Sequence, residues 1–352
     1  MSNPQIAKDL ASVDLLTRDP QTVFAVARRV EIRRNQKNEP FGDLELSDCT
    51  ASFRAKVWGS AAEALAAADK LLPGTPVKVM FEIDVFQGTT QLNVKRLRAV
   101  TEQDAADGYD PTNLFGASHA LVRDLACNSL VIDIETVPTV DLRAAPASIA
   151  QAVSKSAAQR EYDEAKVMGL SPFFGQVVSL AVGDGDKEPS SMPVTVFVVL
   201  PAGREAPSLP PWVHAVSEKE LLEAFWSLAS LADTVVTFNG FGFDIPYLVA
   251  RSVVLGVPAR VDLLGRGFKP HCDVHSVLTQ GSRNLQPASL EIVCWALGIE
   301  SPKGDMDGSM VAPAYEKGEI EKIAHYNAHD VRATTEVFRR VREHILRYRE
   351  DW

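Results

Sequence analysis

Residues 131–135 read Val-Ile-Asp-Ile-Glu, an apolar run that holds two carboxylates, Asp133 and Glu135, separated by one residue. Such a run predicts a buried β-strand, in which successive side chains point to opposite faces. Asp133 and Glu135 therefore share one face, while Ile132 and Ile134 point to the other. Because like charges so close repel each other, the pair needs a counter-charge. Asp-x-Glu alone is common in solvated strands, but its apolar flanks here disfavour that explanation.

A third carboxylate follows a second apolar strand, which is predicted over residues 234–238. This strand breaks at Asn239-Gly240, and a helix is predicted from Asp244, with Pro246 in the first turn, where a missing N–H is tolerated. Taken alone, Asp244 could be only an acidic residue that interacts with the helix dipole. That explanation does not account for a further carboxylate at a strand end.

Tyr326 and Asp330 form the third motif. They are four residues apart in a predicted helix and so lie on one face, and alone they could be a surface pair. Together the three motifs supply four carboxylates and one phenol, an oxygen-only set that favours Mg²⁺ or Mn²⁺ over zinc. Two such ions roughly 4 Å apart can activate a water and stabilise the leaving oxygen of a phosphodiester. The combination predicts a metal-dependent nuclease.

Each group has an expected role in this scheme. Asp133 bridges both ions, Glu135 and Asp330 hold the ion that carries the nucleophile, and Asp244 assists the other ion, largely through water. The phenol of Tyr326, with an ordinary pKa of about 10, is a poor base at neutral pH. We therefore expect Tyr326 to orient the attacking water.

The composition is that of a globular protein of 352 residues, 46% hydrophobic and 23% charged, long enough for two domains. The net charge of −10 is unfavourable for nucleic-acid binding, but residues 1–100 carry 14 Lys+Arg against 12 Asp+Glu, so the acidic excess lies in the remainder. The apolar runs are short and the N-terminus lacks a signal-peptide pattern, which predicts a cytoplasmic protein with no membrane partner. The scattered cysteines are expected to be reduced core thiols: Cys49, Cys127, Cys272 and Cys294.

Residues 22–100 have a β-rich pattern, with an alanine-rich helix over 60–70. Strands are predicted at 23–32, 41–48, 53–58, 77–85 and 91–99, and Gln87-Gly88-Thr89-Thr90 is read as a hairpin turn. Three strands, a helix and two strands is the order of an OB barrel. Alternation assigns these residues to the core: Leu44, Leu46, Phe53, Ala55 and Val57.

The opposite parity defines an outer face on which OB barrels commonly bind oligonucleotides. Its candidate nucleic-acid-binding residues are Phe41, Arg54, Lys56 and Trp58. Arg33 and Arg34 in the first loop, and Phe86 near the last loop, extend this set. Aromatic rings there can stack on bases while the cations follow phosphates. Asp43 and Glu45 on the same face weaken the case.

The predicted organisation is an N-terminal extension (1–21), the barrel (22–100), a polar linker (101–117) and a second unit (118–352). In the second unit, strands are predicted at 129–135, 176–183, 193–200 and 234–238, and helices at 218–231, 244–255, 289–297 and 319–348. This mixture predicts an α/β sheet with helices packed on it. Ser217 and Glu220 fit a capping box, and residues 141–168 are expected to form a helical insertion over the site.

The three motifs resemble those of the DEDD 3′→5′ exonucleases of the tyrosine-bearing subgroup. They are Asp133-Ile134-Glu135, Asn239-Gly240-x-x-Phe243-Asp244-x-Pro246 and Tyr326-x-x-x-Asp330. The likeness is greatest to predicted exonucleases related to the proofreading domain of family-B DNA polymerases, and it covers most of 128–345. It implies an RNase H-like fold and two-metal hydrolysis from a 3′ end to nucleoside 5′-monophosphates. Asn239 and Phe243 of the second motif are further candidates for nucleic-acid binding, and Lys303 could either contact a phosphate or be an ordinary surface lysine.

The stretch 39–48, with Trp58 and Gln91-Leu92 downstream, resembles the nucleic-acid-binding OB domain of certain bacterial 3′→5′ exoribonucleases. This resemblance implies a partner that is single-stranded DNA or RNA with a free 3′ end. Three alternatives stay open. The barrel could be structural or protein-binding, with Trp58 in its core. The whole chain could be a catalytically silent single-strand-binding protein, or an endonuclease that uses the same metal site.

Overall fold

The computed structural model describes residues 6–72, 74–86, 88–204, 207–265, 267–301, 306–350 and 352, apart from the side chain of Arg283. The chain divides into two compact units. Unit 1 comprises the residues up to Asn128 together with Glu223–Asp233, and unit 2 comprises Ser129–Leu222 and the residues from Thr234 onwards. Lys303 and Gln87, which carried sequence predictions, lie outside the described residues.

Unit 1 is built around a closed five-stranded barrel in the order β1-β2-β3-β5-β4. Its elements are β1 (Gln21–Arg34), β2 (Pro40–Ser47), β3 (Ser52–Val57), α1 (Ala62–Ala68), β4 (Thr75–Phe86) and β5 (Thr89–Ala99). All neighbouring strands are antiparallel except β3 and β5, which are parallel. A barrel of this order with a helix between β3 and β4 is an OB fold, as the spacing of the predicted strands indicated.

The barrel core follows the predicted alternation, since Leu44, Leu46, Ala55 and Val57 are buried together. Phe53 differs: it is only half-buried, although it packs against that core. It is the second residue of β3, near the end of the strand.

Residues 101–117, expected as a linker, are more ordered than their composition suggests. They contain a 3₁₀ turn at Glu102–Asp107 and the helix α2 (Pro111–Phe115), which is followed by α3 (His119–Val122). Leu114 and Phe115 are buried against Phe24 of β1. The burial of these apolar side chains stabilises a segment that Gly and Pro had marked as a connection.

Unit 2 holds a six-stranded mixed sheet in the order β11-β10-β6-β7-β8-β9. Its strands are β6 (Ser129–Pro138), β7 (Gly175–Asp184), β8 (Thr195–Val198), β9 (Val213–Ala215), β10 (Thr234–Thr237) and β11 (His271–Asp273). Strand β6 is central, parallel to β10 and antiparallel to β7. This order, with helices against the sheet, is the RNase H-like arrangement that the motifs implied.

The helices that follow β6 in the described part of the chain are α4 (Ala147–Arg160), α5 (Glu164–Gly169), α6 (Glu218–Leu231), α7 (Asp244–Leu255), α8 (Val274–Thr279), α9 (Leu290–Leu297), α10 (Val311–Lys317) and α11 (Ile320–His344). Among them, α6, α7, α9 and α11 match the helices that the sequence predicts. The predicted capping box is confirmed, because the Ser217 amide donates to Glu220 Oε2 at 2.8 Å and the Glu220 amide donates to Ser217 Oγ at 3.2 Å. Within the described residues, no helix has both the length and the apolar character that a membrane span requires.

Candidate active site

Strand β6 delivers the first two carboxylates of the site. Ile132 and Ile134 are buried in the apolar interior, whereas Asp133 and Glu135 point to the other face. The ladder between β6 and β7 is irregular beside Glu135. Glu135 pairs with Ser179, but the next residue of β6 pairs two residues earlier on β7, so β7 carries one extra residue. Bulges of this kind re-aim side chains and are common next to active sites.

Helix α11 brings the third motif to the same face. One ligand atom from each of Asp133, Glu135 and Asp330 lies within 4.8 Å of the others. Glu135 and Asp330 are each 9% exposed. Tyr326, one turn before Asp330, is half-buried and its phenol is hydrogen-bonded with the Asp330 carboxylate.

Asp244 is the first residue of α7 and is 4% exposed. It is outside the group of three, but it is near enough to raise the pKa of both Asp133 and Glu135. Its own backbone amide and that of Ile134 donate hydrogen bonds to its carboxylate. The structure therefore brings all four predicted carboxylates and the phenol to one side of the sheet.

Burial and mutual repulsion disfavour the charged forms of these groups. Desolvation, followed by the charges of Asp330 and Asp244, raises the pKa of Glu135 well above its ordinary value, and Asp133 is affected in the same way. Desolvation likewise raises the pKa of Asp244 to about 7. Burial, and then the charge of Asp330, raises the pKa of the Tyr326 phenol, which therefore stays protonated at neutral pH.

The donor set fits a divalent cation. The converging ligand atoms are carboxylate oxygens, which Mg²⁺ and Mn²⁺ prefer. The charges that perturb Glu135 are themselves negative, so a bound cation would relieve the repulsion that now raises its pKa.

Asn327 also touches this site, although it was not among the residues predicted from the motifs. It is fully buried, and its Nδ2 donates to Asp133 Oδ2 at 2.6 Å. Ser179 Oγ donates to Asn327 Oδ1 at 3.2 Å, which turns the NH₂ side of the amide toward Asp133. Asn327 precedes Asp330 by three residues and so lies on the same helix face, but its partner Asp133 is 194 positions away in the chain, which helical spacing does not reveal.

The loop between β10 and α7 carries the two remaining candidates of unit 2. Asn239 is exposed and has a left-handed backbone with φ of 63°. Phe243 is half-buried, and its ring centroid lies 5.4 Å from that of Tyr247. Both residues lie within five positions of Asp244 along the chain.

The outer barrel face of unit 1 presents an aromatic pair. The ring centroids of Phe41 and Trp58 are 5.3 Å apart, and Lys56 Nζ lies 5.1 Å from the Phe41 centroid. Trp58 is half-buried and directly follows β3, so it is not a core residue. Phe86, at the end of β4, is 60% exposed.

Two of the four candidate cations of this face are paired with an acid on the same barrel. Lys56 Nζ is 2.8 Å from Asp43, and Arg33 is 3.2 Å from the same carboxylate. Arg34 donates to the Asn38 carbonyl at 2.7 Å. Arg54 is exposed on β3. The candidates therefore lie on one side of the barrel, but much of their charge is already compensated.

The four cysteines are thiols that are not joined in disulfides. Cys272 and Cys294 are buried, whereas Cys49 and Cys127 are only half-buried, so the expectation of core positions holds for two of the four.

The structure thus contains an α/β sheet with convergent carboxylates and an OB barrel, the two features that the motifs and the strand order predicted. Residues 208–348 match the family described as predicted 3′-5′ exonucleases related to the exonuclease domain of PolB. The resemblance that the motifs indicated is thereby confirmed for the C-terminal part of this chain, which is similar to that family over these residues. The matched residues include Asp244, Tyr326 and Asp330, and the fold adds Asp133 and Glu135 to them.

Curated relatives include DNA polymerases. That of Desulfurococcus sp. (strain Tok) is 31% identical over 146 residues, which cover 36% of this chain and 19% of the polymerase. That of Pyrococcus glycovorans is 31% identical over 151 residues, which cover 37% and 19%. This chain thus spans about a fifth of the length of these relatives.

Two solved structures are also similar. The family B DNA polymerase from Pyrobaculum calidifontis aligns over 90% of this chain and 46% of its own, with a TM-score of 0.41 and 15% identity. The second OB-fold domain of replication protein A from Methanococcus maripaludis aligns over 27% of this chain and 94% of its own, with a TM-score of 0.21 and 15% identity.

Proposed function

We propose that this chain is a metal-dependent 3′→5′ exonuclease that hydrolyses single-stranded nucleic acid to nucleoside 5′-monophosphates, with the barrel holding the strand. The observation that carries the proposal is the convergence of Asp133, Glu135 and Asp330, whose ligand atoms lie within 4.8 Å of one another. Surface acids rarely converge in this way around partly buried positions, because repulsion and desolvation both oppose it.

The proposed cofactor is a pair of Mg²⁺ or Mn²⁺ ions held by Asp133, Glu135 and Asp330, with Asp244 assisting. When bound, such ions supply Lewis-acid activation of water and charge stabilisation at the phosphodiester. The Tyr326 phenol, protonated at neutral pH, is suited to orient the attacking water by a hydrogen bond rather than to remove its proton. Asn327 holds the Asp133 carboxylate in one rotamer through its amide.

Strand binding is proposed for the barrel face. Phe41 and Trp58 offer ring surfaces for stacking, and base–aromatic stacking contributes about 1–3 kcal/mol per base. Because Asp43 compensates Lys56 and Arg33, we expect stacking to contribute more than phosphate contacts. Tethering such a face to the hydrolytic site would raise the local concentration of substrate near carboxylates that repel phosphates.

The direct test uses matched DNA and RNA oligonucleotides labelled at the 5′ end, with Mn²⁺ or Mg²⁺. We expect a ladder of progressively shortened labelled products and release of 5′-monophosphates, because hydrolysis begins at the 3′ end. Removal of divalent ions with a chelator should stop the reaction. Cleavage of a circular single strand would instead identify an endonuclease, and binding without any cleavage would identify a single-strand-binding protein.

A further inference from the structure

The loop that joins β10 to α7 needs support from elsewhere in the fold. It carries Asn239 and Phe243 and leads directly into Asp244, so its position sets where these three side chains lie. Asn239 has a left-handed backbone, which is uncommon for residues other than glycine although asparagine adopts it more readily than most. A side chain at Gly240 would have its Cβ 2.1 Å from Thr237 Oγ1, so the backbone passes very close to the end of β10.

One buried carboxylate, that of Asp273, holds this loop. Its Oδ1 accepts the amide of Asn239 at 2.8 Å, and its Oδ2 accepts the amide of Phe241 at 3.3 Å. Asp273 is 1% exposed, so these hydrogen bonds form where water does not compete for the carboxylate. Asp273 pairs with Thr237 in the parallel ladder of β10 and β11, which places it beside the first residues of the loop.

The same carboxylate is anchored on its other side by α8. The amide of His275 donates to Oδ1 at 3.1 Å, and Ser276 Oγ donates to Oδ2 at 2.8 Å. Asp273 is thus the N-cap of α8 as well as the acceptor for the loop. Each carboxylate oxygen of Asp273 accepts hydrogen bonds from both the loop and α8. The contacts with α8 therefore fix the side-chain conformation of Asp273, and Asp273 in turn holds the loop amides.

His271, two residues earlier on the same face of β11, supports the loop at a second point. Its Nε2 lies 2.8 Å from Thr237 Oγ1, and its ring centroid lies 4.3 Å from that of Phe241. His271 is 1% exposed. The short strand β11 therefore contacts the loop through two side chains of one face.

We infer that Asp273 is a positioning residue of the proposed exonuclease site, which fixes the Asn239–Phe243 loop and thereby the placement of Asp244. The inference rests on the proposed function for its effect on catalysis, but its structural content can be tested without any hydrolysis. No substrate contact is assigned to Asp273 itself.

The test compares the full-length chain with its Asp273→Asn variant. The asparagine keeps the shape but offers only one oxygen, so one of the two loop amides loses its acceptor. By hydrogen exchange with mass spectrometry, we expect the amides of residues 238–243 to exchange about tenfold faster or more. On an oligonucleotide, kcat should fall roughly 10–100-fold while KM changes less than about threefold, as for other residues that orient ligands of a site.

Ser276→Ala is the matched control. It removes a hydrogen bond to the same carboxylate from the helix side and leaves both loop amides paired. Exchange over 238–243 and kcat should both stay within about twofold of the unsubstituted chain. Equal effects of the two substitutions would reduce Asp273 to a helix cap and overturn the inference.

One measurement needs no variant. In the unsubstituted chain, the amides of Asn239 and Phe241 should be protected although Asn239 is an exposed loop residue. Free exchange at both positions would overturn the inference even if Asp273→Asn did not fold. If the unsubstituted chain did not hydrolyse any strand, the proposed function would fail, while protection and its loss in Asp273→Asn would still establish the positioning role.

Discussion

The acids of unit 1 near Lys56, Arg33 and Arg98 have surroundings opposite to those of the acids at the candidate site of unit 2. On the barrel of unit 1, Asp43 lies near Lys56 and Arg33, and Asp104 is bound by Arg98. On the sheet of unit 2, Asp133 and Glu135 face Asp330, and the charges that perturb them are other carboxylates. An acid beside a cation stabilises its unit as it stands, whereas a group of acids that face one another stores a repulsion that an external cation can relieve. The contrast distinguishes carboxylates that already have a cationic partner from carboxylates that face one another.

The largest expected effect comes from removing a carboxylate of unit 2. Asp133→Ala or Asp330→Ala should lower kcat by more than about 100-fold, because each would remove a direct metal ligand, while the Kd for a single strand stays nearly unchanged. Glu321→Ala is the control, since Glu321 is an exposed carboxylate on the same helix, α11. Metal-dependent cleavage at full rate in both site variants would contradict the assignment.

Removing the aromatic pair of unit 1 should affect binding rather than chemistry. Phe41→Ala or Trp58→Ala should weaken the Kd for a single strand by about 5- to 150-fold, the equivalent of one lost stack. Hydrolysis of a dinucleotide should be unaffected, and Tyr348→Ala, which removes an exposed ring near the end of the described chain, should leave binding unchanged. A fluorescence titration at two salt concentrations measures both the loss and the expected weak salt dependence.

The pH dependence of stability should have opposite signs in the two units. Folding raises the pKa of Asp244 to about 7, from an ordinary value of 3.8, so the folded state binds more protons than the unfolded state between these values. Without metal, the free energy of unfolding of unit 2 should therefore fall as the pH rises from about 4 to about 7. Mn²⁺ at 100 times its Kd should raise the Tm by roughly 5 °C at pH 8 and by less at pH 5, where protons compete for the carboxylates.

Calorimetry with and without Mn²⁺ at the two pH values measures this difference. The double variant Asp133→Ala, Asp330→Ala should show no shift. An equal Tm increase in that variant would mean that the cation binds elsewhere.

The smallest effect concerns Asp104 of unit 1, which is 1% exposed. Arg98 donates to both of its oxygens at 2.6 Å, and this interaction holds the pKa of Asp104 well below its ordinary value. The resulting stabilisation is present above the ordinary pKa, about 4, and is lost as the pH falls toward the lowered value. Asp104→Asn should cost about 2 kcal/mol of unfolding free energy at pH 7 and less at pH 3. Urea denaturation measures this loss of unfolding free energy, and Asp107→Asn at an exposed position is the control.

Much of the architecture could be predicted from the sequence, because periodicity reports burial along each element. The barrel strands and the helix starting at Asp244 were found in this way. The short strands β9 and β11 were missed, since three residues are too few to show a period. The buried segment around Leu114 was also missed, because Gly and Pro masked two apolar residues.

The site was predictable only as far as its motifs reach. Chemistry marks Asp133, Glu135, Asp244 and Asp330 in the sequence, but it does not mark the neighbours that hold them. Asn327 is an ordinary helical asparagine until the fold brings it to Asp133, and Asp273 is an ordinary acid until β11 pairs with β10. Such partners depend on contacts between segments far apart in the chain, which a single sequence does not encode locally.

The extra residue of β7 makes this sheet sensitive to length at one point. Deleting Val178 would let the ladder continue without interruption past Glu135, and the start of β7 would slide by one residue, about 3.3 Å. The Val177 amide donates to Glu218 at 2.9 Å and would move away from that carboxylate. Glu218 also forms a buried ion pair with Arg251 of α7, and this pair would be disturbed as well. The deletion of one apolar residue would thus alter a contact of the helix that begins with Asp244, although no carboxylate would be lost.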